Sequence, residues 1–237
     1  MDSQGARKNP YSTCFGPGIW RVLGAIICIH GDQKGLVLPF VIAPIQVVII
    51  PIVKGDAKEA VLNKADEIKS ILATSGLRVH IDNTDKTPGF KYNWWEMRGV
   101  PFRIELGGRE VAENSATLAR RDTREKAKVP ISDLEKTITA LANAMQNSLL
   151  EKSQNELNAS IKTALTMDDA KRILDELCFA KIFICTLEMD GKRCADALKD
   201  FTKGGKVRGR RLDEKPVSGK CIVCGKDGMQ AYLARQY

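Results

Sequence analysis

Gln46-Val47-Val48-Ile49-Ile50-Pro51-Ile52-Val53 is a nearly continuous β-branched run. Such a run marks a strand buried on both faces, and so a sheet with cover on each side. A helix is predicted directly after it, from about Ala57 to Ala73. Val61, Ala65, Ile68 and Leu72 recur there at i, i+4, i+7 and i+11, Asp56 before Glu59 gives a start signal, and Gly76 gives a stop. Arg78 to Asp82 reads as a second strand, Val100 to Leu106 as a third, and Ala116 to Arg121 as a fourth, with an edge strand at Val129 to Ile131. A short helix lies around Tyr92 to Arg98. Ser132 and Glu135 are placed to form a capping box for a last helix with Leu134, Ile138, Leu141, Met145 and Leu149 on one face. The expected architecture is α/β: a mixed five-stranded sheet with flanking helices.

The flanks differ from this centre. Residues 1–40 carry a Gly16-Pro17-Gly18 turn, an apolar run from Val22 to Ile29, His30-Gly31-Asp32, and a second apolar stretch from Gly35 to Leu38. They read as two strands, or a helix and a strand, with too little mass for a core of their own. After a polar stretch from Glu151, Thr166 and Asp169 are set to cap a short helix with Ile173, Leu174 and Leu177 inward. From Phe179 the chain turns Cys-containing, Gly-rich and basic.

Composition narrows the classes. Of 237 residues, 43% are hydrophobic and 28% charged, which excludes a collagen-like or wholly disordered chain. The longest apolar run, Val41 to Val53, is interrupted by Gln46 and two prolines and is too short to span a bilayer. Met1 to Asn9 is polar with no apolar core behind it, so no signal peptide and no membrane partner are expected. Seven cysteines fit a reducing, cytoplasmic setting, where they serve as thiols or metal ligands. Lys and Arg number 37 against 29 Asp and Glu, a net +8 that attracts polyanions such as nucleic acid.

Three groups of residues carry chemistry. Cys221-Ile222-Val223-Cys224-Gly225 has knuckle spacing for a tetrahedral zinc, and Cys185 with Cys194 offers a second pair with eight residues between them, with Cys178 competing for one position. Four thiolates leave no open coordination position, so such a site is structural; the other reading is core thiols plus a redox pair. Between Asp82 and Arg103, Thr87-Pro88-Gly89-Phe90-Lys91, Trp94-Trp95-Glu96 and Arg98-Gly99-Val100-Pro101 put a Pro-Gly turn, cations, a carboxylate and rings at a strand end. Unpaired bases are read by stacking and by hydrogen bonds to their edges, and Lys or Arg donates to guanine O6 and N7 while a carboxylate accepts from N1 and N2. A packed loop is the competing reading, since adjacent tryptophans on a helix project about 100° apart and one belongs in the core. Arg120-Arg121-Asp122-Thr123-Arg124 is a basic turn that lines a phosphate backbone or ends a solvated hairpin. A larger basic excess lies between Lys199 and Lys220, eight cations against three acids. Arg21, behind the glycine turn, is placed to clamp a phosphate, and His30 either orients a substrate or is structural. No Walker loop, GxGxxG, HExxH or nucleophile elbow is present, so the chain is not read as a self-sufficient enzyme.

Ala43-Pro44-Ile45-Gln46-Val47-Val48-Ile49-Ile50-Pro51-Ile52 resembles the opening of the anticodon-binding domain of class II aminoacyl-tRNA synthetases. Thr87-Pro88-Gly89-Phe90-Lys91, Trp95-Glu96-Met97-Arg98-Gly99-Val100-Pro101 and Arg120-Arg121-Asp122-Thr123 narrow the resemblance to prolyl-tRNA synthetases of the archaeal and eukaryotic-like type, which end in Tyr, as this chain ends in Tyr237. Thr13 to Leu38 resembles class II motif 3 and the strand after it. The resemblance implies three parts: residues 1–40 as the end of a catalytic domain, 41–152 as an anticodon-binding domain, and 153–237 as a small α+β zinc-binding domain. It implies the C-terminal portion of a proline–tRNA ligase, which joins proline to its tRNA through prolyl-adenylate, using ATP with Mg2+. Motifs 1 and 2 are not in this sequence.

By the same resemblance, Arg21 contacts ATP phosphates, and Lys91, Glu96, Arg98 and Arg103 read the two guanines of proline anticodons. Arg120 and Arg121 hold the RNA backbone; Cys185, Cys194, Cys221 and Cys224 bind structural zinc, the first pair more widely spaced than is usual in the family; and Tyr237 docks toward the catalytic domain. The implied partners are proline tRNA, proline, ATP and an identical subunit. The alternatives are a freestanding RNA-binding accessory module without ligase activity, and a zinc-ribbon nucleic-acid binder with the α/β domain as scaffold.

Overall fold

The computed structural model describes residues 4–5, 7, 13–53, 57–188 and 191–235. The chain forms two compact units, 1–150 and 151–237.

In the first unit, β1 (Val47–Ile52) lies between β2 (Val79–Ile81) and β3 (Phe102–Gly107), parallel to both. β4 (Ser115–Arg120) and β5 (Lys126–Pro130) add antiparallel, giving a five-stranded mixed sheet in the order β2-β1-β3-β4-β5. The β-branched run is buried on both faces, as its composition requires. Val47 and Ile49 meet Ile104, Leu118 and the apolar stripe Val61, Ala65, Ile68 and Leu72 of α2 (Lys58–Thr74). Val48 and Ile50 face the opposite way, toward Val100, Tyr92 and Trp95. α2 ends in a Schellman motif at Gly76 (φ +82°): the Gly76 N–H donates to Ala73 O and the Leu77 N–H to Leu72 O. α3 (Pro88–Met97) precedes β3, and α4 (Gly108–Ala112), which the sequence pattern does not announce, comes after it. Leu134, Ile138 and Ala142 of α5 (Leu134–Ser160) complete this core.

The second unit is the expected small α+β body. β6 (Ile161–Thr163), β7 (Phe179–Ile184), β10 (Asp227–Arg235) and β8 (Gly205–Gly209) form a sheet in that order, and β9 (Ser218–Lys220) pairs with β10. α6 (Met167–Asp175) and α7 (Lys192–Phe201) supply Ile173, Leu174 and Leu198 to a core with Ala180, Ile182, Ala231 and Leu233.

Of the two readings of the first segment, Val22 to Ile29 takes the helical one, in α1 (Ile19–His30), in which no residue is buried. Several local expectations change. Gly35 to Leu38 forms no named strand: Gly35 makes an isolated bridge with Asp32, and beyond it Leu36 N–H donates to Met97 O and Leu38 N–H to Gly99 O. Pro88-Gly89 is the first turn of α3 rather than a free turn, since Thr87 caps the helix and Pro88 fits its first position. Ser132 donates to Asp133 within a 3-10 turn (Ile131–Asp133) and forms no capping box. Thr166 caps α6 as expected, but Leu177, at φ +59° beyond its end, is 89% exposed. Asp56, read as a start signal for α2, lies outside the described residues.

Candidate nucleic-acid interface

Thr87 Oγ1 accepts from the Phe90 N–H at the start of α3, and this cap fixes the helix beside the ends of β1 and β2. The helix then presents Phe90 and Trp94 at i, i+4, 48% and 39% exposed, with stacked rings 5.9 Å apart and 21° between their planes. A cation stands at each end of the pair. The Arg98 guanidinium lies 3.3 Å from the Trp94 centroid, and the Lys86 ammonium lies 5.8 Å from that of Phe90. A groove of about 580 Å3 runs alongside, lined by His80, Asp82, Asn83, Thr84, Lys86, Phe90 and both tryptophans.

The neighbouring tryptophan turns inward. Trp95 Nε1 donates to Asp82 Oδ2 at 2.8 Å, and Asp82 Oδ1 accepts from the Thr84 N–H at 3.0 Å and its hydroxyl at 2.6 Å. Lys91, 5% exposed, donates from Nζ to the Asp82 carbonyl at 2.9 Å and lies 3.7 Å from Oδ1. Burial pushes the Asp82 carboxyl up, but the Thr84 and Trp95 donors and the Lys91 charge outweigh it and hold the group below its ordinary value.

Behind α3, Arg103 donates through Nε and Nη2 to Glu105 (3.1 and 3.0 Å) and through Nη1 to Glu96 (2.9 Å), and lies over the Tyr92 ring. Burial, then the Glu105 charge, pushes the Tyr92 hydroxyl up to about 12. Arg120 is engaged by Asp122 at 3.1 and 2.7 Å. Arg121 donates to both Asp32 oxygens (2.9 and 2.7 Å) and to Glu96 O (2.9 Å), with its side chain 2% exposed. Arg124 also reaches Asp32, and these donors, Arg121 foremost, hold the Asp32 carboxyl far below its usual range.

The sequence-predicted residues therefore separate. Glu96 and Arg103 meet each other, and Arg98 reaches the surface against a ring. Lys91, Arg103 and Arg121 are buried in internal ion-pair networks, and a buried charge that left its partners would bear a large desolvation cost. Arg120 is held within its own turn. Phe90 with Trp94 as a stacked pair, and Asp82 as the acceptor that organises the loop, were not singled out by spacing. The i, i+4 aromatic repeat was the available signal. Arg21 is an exposed residue of α1 and His30, half-buried, ends that helix. Tyr237 lies outside the described residues.

In the second unit, Cys185 follows β7, Cys194 is in the first turn of α7, and Cys221 and Cys224 lie between β9 and β10. Their four Sγ atoms all lie within 4.8 Å of one another. Zn–S bonds of about 2.3 Å in a tetrahedron set sulfur atoms roughly 3.8 Å apart, so the cluster can hold a metal ion with small inward movement. The wide first pair is explained by the chain leaving a strand end and returning through a helix start. Gly225, at φ +71°, turns the knuckle, and its N–H donates to Cys221 O at 2.9 Å. The Lys226 backbone N–H draws the Cys224 thiol down to about 7, whereas burial pushes Cys194 up to about 12. Cys178 stands apart from the four, with its Sγ on Glu176 O.

Among the described residues, no helix is long and apolar enough to cross a membrane. Residues 46–141 match the family described as "Anticodon binding domain". Over its whole length the chain is 42% identical to a proline–tRNA ligase of Thermofilum pendens, covering 49% of that protein. It is 39% identical to one of Methanococcoides burtonii, again over all of this chain and 48% of that protein. Among solved structures, the Giardia lamblia prolyl-tRNA synthetase in complex with prolyl-adenylate superposes with a TM-score of 0.84 at 34% identity, over 92% of this chain and 47% of that one. The chain spans about half the length of the curated relatives it matches. Residues 46–141 thus match an anticodon-binding domain, and the chain as a whole is similar to the C-terminal portion of proline–tRNA ligases.

Proposed function

We propose that this chain acts as the C-terminal portion of a proline–tRNA ligase and that the face of α3 reads the anticodon of proline tRNA. The observation that carries the reading is the exposed Phe90–Trp94 stack with Arg98 and Lys86 at its ends. Rings take the faces of unpaired bases, and the flanking cations meet guanine O6 and N7 or phosphate. In this reading Arg98 contacts a guanine directly and Glu96 accepts from a guanine edge while held by Arg103. Lys91, Arg103 and Arg121 are positioning residues, and Arg120 shapes the neighbouring turn.

The same reading assigns 1–40 to the end of a catalytic domain, 41–152 to anticodon binding and 153–237 to a zinc-binding domain. Arg21 lies on ATP phosphates, with charge stabilisation as pyrophosphate leaves, and His30 orients substrate. Cys185, Cys194, Cys221 and Cys224 hold Zn2+, which cross-links strand, helix and knuckle and supplies folding energy. Tyr237 docks toward the catalytic domain. The whole enzyme is a cytoplasmic homodimer that uses proline, ATP and Mg2+.

Fluorescence anisotropy with proline tRNA tests the interface. Trp94→Ala is expected to weaken binding by about tenfold or more, on the order of one lost base stack, with the unfolding midpoint unchanged. Unaltered affinity would overturn the assignment of α3.

A further inference from the structure

The anticodon reading leaves the strongest basic excess of the chain, Lys199 to Lys220, without a role. In the structure this excess is organised. β8 is an edge strand on which Lys206 and Arg208 are exposed at alternate positions, with Arg210 exposed just past its end, while Gly205 is buried and Val207 packs on the core. Alternate residues on a strand lie about 6.7 Å apart, close to the separation of successive phosphates in an extended RNA strand. Neither Lys206, Arg208 nor Arg210 has an ion pair among the described residues, whereas nearby Arg211 is engaged by Asp213, and Glu214 by Lys181.

A β-bulge breaks the register where Tyr232 pairs with Gly209 and Leu233 with Val207, and Gly209 sits at φ +96°. Beside this bulge Arg208 and Arg210 line a groove of about 370 Å3 that also contains Phe179, Tyr232 and Leu157. The Tyr232 hydroxyl is tied to Glu214 at 2.7 Å, which fixes that ring as a wall, and Phe179 is partly open to solvent. Guanidinium groups and an exposed ring around one apolar groove, continued by a row of free cations, match a phosphate backbone and the face of one base.

We propose that β8 and the groove beside it form a second RNA-binding surface, which holds an unpaired nucleotide of a single-stranded segment without regard to its sequence. It stands independently of guanine recognition by α3.

The test uses the full chain and a uridine dodecamer, which offers no guanine, followed by anisotropy at several salt concentrations. Replacing Lys206, Arg208 and Arg210 together by Gln is expected to reduce the slope of log affinity against log salt by about 2, from roughly 0.7 per phosphate. Phe179→Ala is expected to weaken binding about tenfold with the slope kept. Uridine monophosphate at the same concentration is expected not to displace the oligomer. Circular dichroism and bound-metal content check that the variants remain folded. An unchanged slope in the triple variant would overturn the proposal, as would displacement by the mononucleotide. A loss confined to Trp94→Ala would also overturn it, while leaving the α3 reading intact. No binding by the unmodified chain at low salt would refute it and leave the surface to a protein partner.

Discussion

Replacing Lys91 by Met keeps most of the side-chain volume and removes the ammonium that sits on Asp82. The structure sets the size of the effect. Lys91 Nζ is 2.9 Å from the Asp82 carbonyl and 3.7 Å from its carboxylate, and both side chains are almost wholly enclosed. Removing one partner of a buried pair costs roughly 3–5 kcal/mol. Asp82 keeps its Thr84 and Trp95 donors, which places the expected loss at the lower end, about 3 kcal/mol at pH 7. The pH dependence has a definite sign. The Asp82 carboxyl is held below its unfolded value, so its contribution is present above about pH 4 and is lost as pH falls through the folded value. The gap between parent and variant therefore narrows in acid, and adding Asp82→Asn to Lys91→Met is expected to recover part of the loss. Urea unfolding followed by circular dichroism measures both effects. A change below about 0.5 kcal/mol accompanied by lost tRNA affinity would refute the reasoning, because Lys91 would then act on the RNA itself and not through Asp82.

Cys221→Ser is expected to abolish tight zinc binding by the chain; elemental analysis that finds unchanged zinc would remove it from the ligand set. Asp32→Asn is expected to lower stability at neutral pH and to reduce its loss in acid, since Arg121 and Arg124 hold that carboxyl low; acid titrations of parent and variant check this. Amides of α1, a helix with no buried residue, are expected to exchange much faster than those of β1 and β3, and equal protection would contradict the view that 1–40 lacks its own core.

The first unit was legible where burial dictates residue type. The β-branched run of β1, the stripe of α2 and the Gly76 stop each have one physical solution, and the structure adopts it. Local polar signals were less binding. Ser132 and Glu135 fit a capping box, yet the chain uses Ile131–Asp133 as a 3-10 turn because Ile131 is drawn into the core. Pro88-Gly89 was equally suited to a free turn or a helix start, and Thr87 settles it through its cap. Cation roles were hardest to read, since Lys91 and Arg121 look like Arg98 in a sequence. What separates them is the placement of Asp82 and Asp32, and Asp32 lies 89 residues from Arg121. The cysteines were readable as residue types in knuckle spacing, whereas the match of Cys185 to Cys194 needed the turn from β7 to α7.

The central claim is that α3 distinguishes proline anticodons by their guanines. Anisotropy titration compares proline tRNA with a transcript in which the two anticodon guanines are replaced by adenines. A loss of at least tenfold, on the order of 1–3 kcal/mol for each misread base, is the predicted result; equal affinities would contradict the account.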